Sequence, residues 1–145
     1  MSILYKEDKP MKQLAVILLI TLVTVLIFTG CKYSADNKKS YRQISSEEAA
    51  TMMEEETDYI ILDVRTREEY ETAHIPGAIC IPNETIGTED ITELPDKDQL
   101  ILVYCRSGNR SKQASEKLVN QGYTNIVEFG GINNWMGETV SGSEE

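Results

Sequence analysis

The sequence predicts an α/β domain built on a central, mostly parallel, five-stranded sheet with helices on both faces. Three observations carry this expectation. Strand-like and helix-like segments alternate over residues 41–140, the pattern of crossovers between parallel strands. Two strands, Tyr59-Ile60-Ile61-Leu62-Asp63-Val64 and Leu100-Ile101-Leu102-Val103-Tyr104, are nearly unbroken apolar runs, which indicates burial on both faces. The roughly 100 residues left after the N-terminal segment are enough for one domain with a core of its own.

The elements follow in order. Tyr41 to Ile44 is a short extended piece. Ser45-Ser46-Glu47-Glu48 has helix-start chemistry, and Ala49 to Glu56 continues it with good helix formers. The strand 59–64 comes next. Thr66 to Ala73 reads as a short helix, with Thr66 as N-cap and Glu68 and Glu69 near its positive end. Pro76-Gly77 makes a turn, and Ala78-Ile79-Cys80-Ile81 is a strand stopped by Pro82. After the strand 100–104, a helix runs from about Ser111 to Asn120 and ends at Gly122. Asn125 to Phe129 is the last strand. Gly130-Gly131 and a short helical stretch around Trp135 follow it.

Of the 145 residues, 41% are hydrophobic and 26% charged, which is ordinary for a globular protein. The net charge of −10 excludes general nucleic-acid binding, which needs clustered Lys and Arg. It also makes a local positive cluster informative. Cys31, Cys80 and Cys105 are odd in number and cannot all pair within the chain. There is no CxxC and no Cys/His cluster, so no metal site is expected.

The N-terminus reads as an address. Leu14 to Phe28 is a run without charge, preceded by Lys12 and followed by Thr29-Gly30-Cys31. A spanning helix needs about 20 apolar residues. This shorter run has the form of a secretory signal, for which Met11-Lys12 is a conventional start. Phe28-Thr29-Gly30-Cys31 resembles the lipobox of bacterial lipoproteins, with Phe28 in place of the usual Leu. The resemblance implies cleavage before Cys31 and lipid attachment to it. An uncleaved anchor helix is the alternative. Residues 1–30 are thus expected to be a lipoprotein-type signal peptide, 31–40 a polar tether, 41–140 the folded domain and 141–145 a flexible tail. The expected location is extracytoplasmic and membrane-anchored.

In parallel α/β sheets, sites form at the carboxyl ends of strands, which singles out Asp63 and Cys105. Cys105 opens the segment Cys105-Arg106-Ser107-Gly108-Asn109-Arg110-Ser111. A tight loop closing on a helix N-terminus turns backbone N–H groups inward and makes an anion-binding nest. Such a nest, with Arg106 and Arg110 beside it, favours thiolate over thiol. Gly108 permits the sharp turn. The plain alternative is a buried cysteine beside surface arginines.

This loop resembles the active loop of the rhodanese homology family. LDVRTREEY at 62–70, HIPGAICIP at 74–82 and FGGINNW at 129–135 match further family segments in the family's order. The resemblance implies that Cys105 accepts sulfane sulfur from a small anionic donor such as thiosulfate and passes it to a thiol or cyanide, without a cofactor. It also implies substrate binding by residues 106–111 and a supporting role for Asp63 and Arg65. Two rival readings are a non-catalytic binding module and a cysteine phosphatase or arsenate reductase. The latter enzymes place five residues between Cys and Arg, whereas four separate Cys105 from Arg110. His74 lies in a turn that looks architectural. Cys80 reads as a small buried hydrophobe, with a resolving thiol as the alternative, and Trp135 as core.

Overall fold

The computed structural model describes residues 40–88 and 90–143. The expected signal peptide, Cys31 and almost all of the tether lie outside the described residues. Five strands form one sheet: β1 (Arg42–Gln43), β2 (Tyr59–Asp63), β3 (Ala78–Cys80), β4 (Leu100–Cys105) and β5 (Ile126–Gly131). Their order is β1-β5-β4-β2-β3, and every pairing is parallel. The helices are α1 (Ser46–Glu55), α2 (Arg67–Thr72) and α3 (Asn109–Asn120), with a 3-10 turn at Ile132–Asn134.

Both helix starts expected at Ser45 and Thr66 are capping boxes. Each hydroxyl accepts the N–H three residues on, from Glu48 and Glu69, and each glutamate reaches back to its cap. Together these satisfy donors that the first turn leaves without intrahelical partners.

The apolar runs are explained by two cores, one on each side of the sheet. Ile101, Val103 and Cys105 pack with Ala114 and Leu118 of α3. The alternate residues Leu102 and Tyr104 pack on the other side with Ala49 of α1 and Tyr70 of α2. A strand covered on both faces has no polar side to show. The connection leaving β2 therefore goes to one face and that leaving β4 to the other. These strands are neighbours, so a crevice opens between them at their carboxyl ends, the switch point where such folds place their sites.

Most element ends shift by a residue or two from expectation, and three differences change the local reading. The helix after Cys105 begins at Asn109, two residues early, because Gly108 at φ +101° turns the chain directly into it. Gly130-Gly131 belong to β5 and do not follow it. The stretch before Trp135 is a single 3-10 turn whose carbonyl, from Ile132, accepts the Trp135 N–H.

Candidate active site

Cys105 is the last residue of β4 and is 1% exposed. Its Sγ receives the Gly108 N–H at 3.1 Å. Burial pushes the thiol's pKa up. The Ser111 hydroxyl and the amides of Ser111, Ser107 and Gly108 outweigh it, and the net shift is downward. One amide hydrogen bond reaches the sulfur, from Gly108, and the polar groups of the loop together favour an anion there.

The loop rests on a shelf made by β5. Between β4 and β5 the register slips, with Val103 opposite Glu128 but Cys105 opposite Gly131. This bulge puts Gly130 at φ +89°, a conformation that strongly favours glycine. Gly131 has an ordinary extended backbone, but a Cβ there would lie 2.3 Å from the Arg106 carbonyl oxygen. Only a hydrogen fits in that gap. The Asn133 N–H then donates to the same carbonyl at 3.3 Å.

Of the six expected binding residues, Arg106, Ser107 and Asn109 are exposed and Gly108 and Ser111 are buried. The Arg106 guanidinium makes no hydrogen bond or ion pair among the described residues. Arg110 is engaged: it donates to Glu69 of α2 at 2.6 and 2.8 Å. The pair spans the crevice between the β2 and β4 connections. Arg110 holds the Glu69 carboxyl well below the usual range, at about 2.

Asp63 and Arg65 lie at the carboxyl end of β2, the strand beside β4, buried and paired. Arg65 donates Nε to both Asp63 oxygens at 3.0 Å and Nη2 to Oδ2 at 2.6 Å, and its Nη2 also reaches the Ala73 carbonyl at 2.6 Å. The pair fixes the turn from β2 into α2, on which Glu69 sits. Burial and the Asp63 carboxylate push the Tyr104 phenol far above its ordinary value, so it stays neutral and accepts the Ile75 N–H.

His74 is committed elsewhere. Its Nδ1 lies 2.8 Å from the Tyr70 carbonyl oxygen, its ring stacks on Tyr70, and its backbone pairs with Val140. Cys80 is in register with Asp63, which is in register with Tyr104. Cys80 and Cys105 thus lie two strands apart and in opposite cores. A separation of about 10 Å exceeds what a disulfide spans, so this geometry does not let them pair. Trp135 packs against the core containing Phe129.

A family profile, Rhodanese-like domain, matches residues 45–138. The chain belongs to the rhodanese-like family. It is 41% identical over 71 residues to "Thiosulfate sulfurtransferase PspE" of Escherichia coli strain K12, covering 49% of this chain and 68% of that protein. It is 34% identical over 111 residues to "Putative sulfur carrier protein YrkF" of Bacillus subtilis strain 168, covering 76% of this chain but only 59% of that protein's length. The solved structure "rhodanese with anions from E. coli" superposes with a TM-score of 0.54 at 37% identity, over 58% of this chain and 99% of that one. Relatives named sulfurtransferases and sulfur carriers put the chain in a sulfurtransferase family.

Three residues around this rhodanese-like site were not expected to touch it: Glu69, which holds Arg110, Gly131, which makes room for the loop, and Glu128. The last is buried behind the loop, and its Oε1 accepts from the Ser111 hydroxyl at 2.6 Å and the Gly130 N–H at 2.9 Å.

Proposed function

We propose that the protein is a sulfurtransferase that carries sulfane sulfur as a persulfide on Cys105. The observation that supports this most is the Cys105 sulfur itself, which accepts the Gly108 N–H at the end of a buried strand and has its pKa lowered. The Cys105 thiolate attacks the outer sulfur of thiosulfate or a similar donor. The donor's S–S bond breaks, and sulfite leaves with the bonding pair. A thiol or cyanide then attacks the terminal sulfur, the new bond forms, and the thiolate returns. This is ping-pong chemistry, and it requires neither a metal nor an organic cofactor.

The exposed Arg106 guanidinium meets the anionic donor and the leaving sulfite. Arg110, held by Glu69, contributes charge and loop shape. Asp63 and Arg65 support the loop from the neighbouring strand. The four-residue spacing to Arg110 disfavours a phosphatase, and an acidified cysteine disfavours a purely binding role. The Cys31 motif supports a lipid tether that holds the domain outside the cytoplasm, at the membrane surface.

A thiosulfate:cyanide assay on the wild type and Cys105→Ser tests the reading. Thiocyanate formation lost in the variant is expected. Equal rates in the two would overturn it.

A further inference from the structure

The cations of the loop 105–111 are Arg106 and Arg110, and they are not equally free. Arg106 is exposed and makes no ion pair among the described residues. Arg110 gives both terminal nitrogens to the Glu69 carboxylate, at 2.6 and 2.8 Å. That carboxyl stays ionised, because its pKa is held at about 2. Toward an approaching anion the two charges sum to zero. The pair sits close to the reacting atom. The Gly108 N–H meets Cys105 Sγ at 3.1 Å, and Arg110 is two residues further on, so its Cα lies within about 7 Å of that of Gly108. Exposed Glu84 is a further negative charge acting on Arg110, in a chain whose net charge is −10.

We propose that Glu69 is a specificity-determining residue: by cancelling the charge of Arg110 it leaves Arg106 as the loop's one uncommitted cation, and so tunes the site to sulfur donors with a single negative charge over dianions such as thiosulfate. The inference rests on the Cys105 chemistry proposed above and narrows its donor class. A dianion set beside one cation keeps an uncompensated charge next to a thiolate that is itself negative, and a monoanion does not. Thiosulfonates are donors of the favoured class. The Cys105 thiolate attacks the outer sulfur of a thiosulfonate, the S–S bond breaks, and a sulfinate leaves with the bonding pair, where thiosulfate releases sulfite.

The test compares thiosulfate with the methanethiosulfonate ion, in which a methyl replaces one oxygen and removes one charge while the transferred sulfur stays the same. The readout is the ratio of kcat/KM for the two donors, with cyanide as acceptor. Glu69→Gln removes the charge and keeps the helix cap, because glutamine also closes a capping box. In this variant the thiosulfate:methanethiosulfonate ratio rises about fivefold at low ionic strength, and the rise shrinks in about 1 M salt. Arg110→Gln lowers the ratio. The double variant, whose charges again sum to zero, returns it toward the wild type. An unchanged or lower ratio in Glu69→Gln overturns the proposal, as does a double variant that keeps the shift of Glu69→Gln. A purely structural role for the pair would change both donors' rates together and leave the ratio alone.

A second readout needs no sulfur transfer: the ratio of the rates at which iodoacetate and iodoacetamide alkylate Cys105, read on the Cys105 peptide of the full chain by mass spectrometry. Both reagents need the same thiolate, so its pKa cancels, and they differ by one charge. This ratio also rises in Glu69→Gln. A shifted alkylation ratio without sulfur uptake from either donor contradicts the proposed function and not this inference. Sulfur transfer with both ratios unmoved contradicts this inference alone.

Discussion

Glu69 and Arg110 hold each other by two hydrogen bonds across the mouth of the crevice, at 2.6 and 2.8 Å. Glu69 also closes the capping box of α2, accepting from the Thr66 N–H at 3.1 Å. One carboxylate thus ties the start of α2 to the start of α3, the helix into which the Cys105 loop runs. Its pKa is depressed from 4.5 to about 2, so its contribution to stability is present above 4.5 and is lost as pH falls toward 2. The side chains are 27% and 28% exposed, so solvent screens the pair. Glu69→Gln should cost about 0.5–1 kcal/mol at pH 7, and that difference should shrink in urea melts repeated below pH 4.5. A constant difference across that range would contradict the assignment.

Asp63 and Arg65 are a different case, because both are buried. Removing one partner leaves the other charge uncompensated. Asp63→Ala should destabilise by about 3–5 kcal/mol, a large part of the roughly 5–15 kcal/mol of a typical domain. Urea unfolding measures it, and a loss below 1 kcal/mol would show the pair to be dispensable.

Gly131→Ala separates loop placement from backbone strain. The backbone at 131 is extended, but the added methyl would meet the Arg106 carbonyl at 2.3 Å. The loop must move. Misplacing a reacting group by about 1 Å can cost about 100-fold in rate, so sulfur uptake should fall by that order while far-UV circular dichroism stays native. Wild-type uptake would mean that the loop is not held by this shelf.

The donors around Cys105 predict a titration. Its lowered pKa places the midpoint of alkylation below that of the same cysteine in the unfolded chain, so reactivity rises through that midpoint as pH increases. Ser111→Ala removes a hydroxyl that helps to lower the Cys105 pKa and should raise the midpoint by about half to one pH unit. A midpoint unmoved in this variant would take Ser111 out of the nest.

Most of the fold was legible because the signals are local. The capping residues Ser45 and Thr66, the unbroken run at Leu100–Tyr104 and the stop at Gly122 each act within a few residues. The cysteine loop was legible for the same reason. What escaped depends on pairing at a distance. Nothing near Gly131 in sequence tells that Arg106 lies over it. Glu69 read as a charge near a helix start, and its bond to Arg110 joins residues 41 positions apart. Glu128 did leave a trace, as the one acid in the run Ile126-Val127-Glu128-Phe129, but its partner Ser111 becomes visible only once α3 is laid beside β5. Arg110 looked like an open anion ligand, because a charged side chain does not reveal its counter-ion until the two elements meet.

The most direct measurement is the mass of the Cys105 peptide after the full chain is treated with thiosulfate. One added sulfur on Cys105, released when cyanide is supplied, is expected. Sulfur on Cys80 instead, or none on any peptide from any donor tried, would contradict the account.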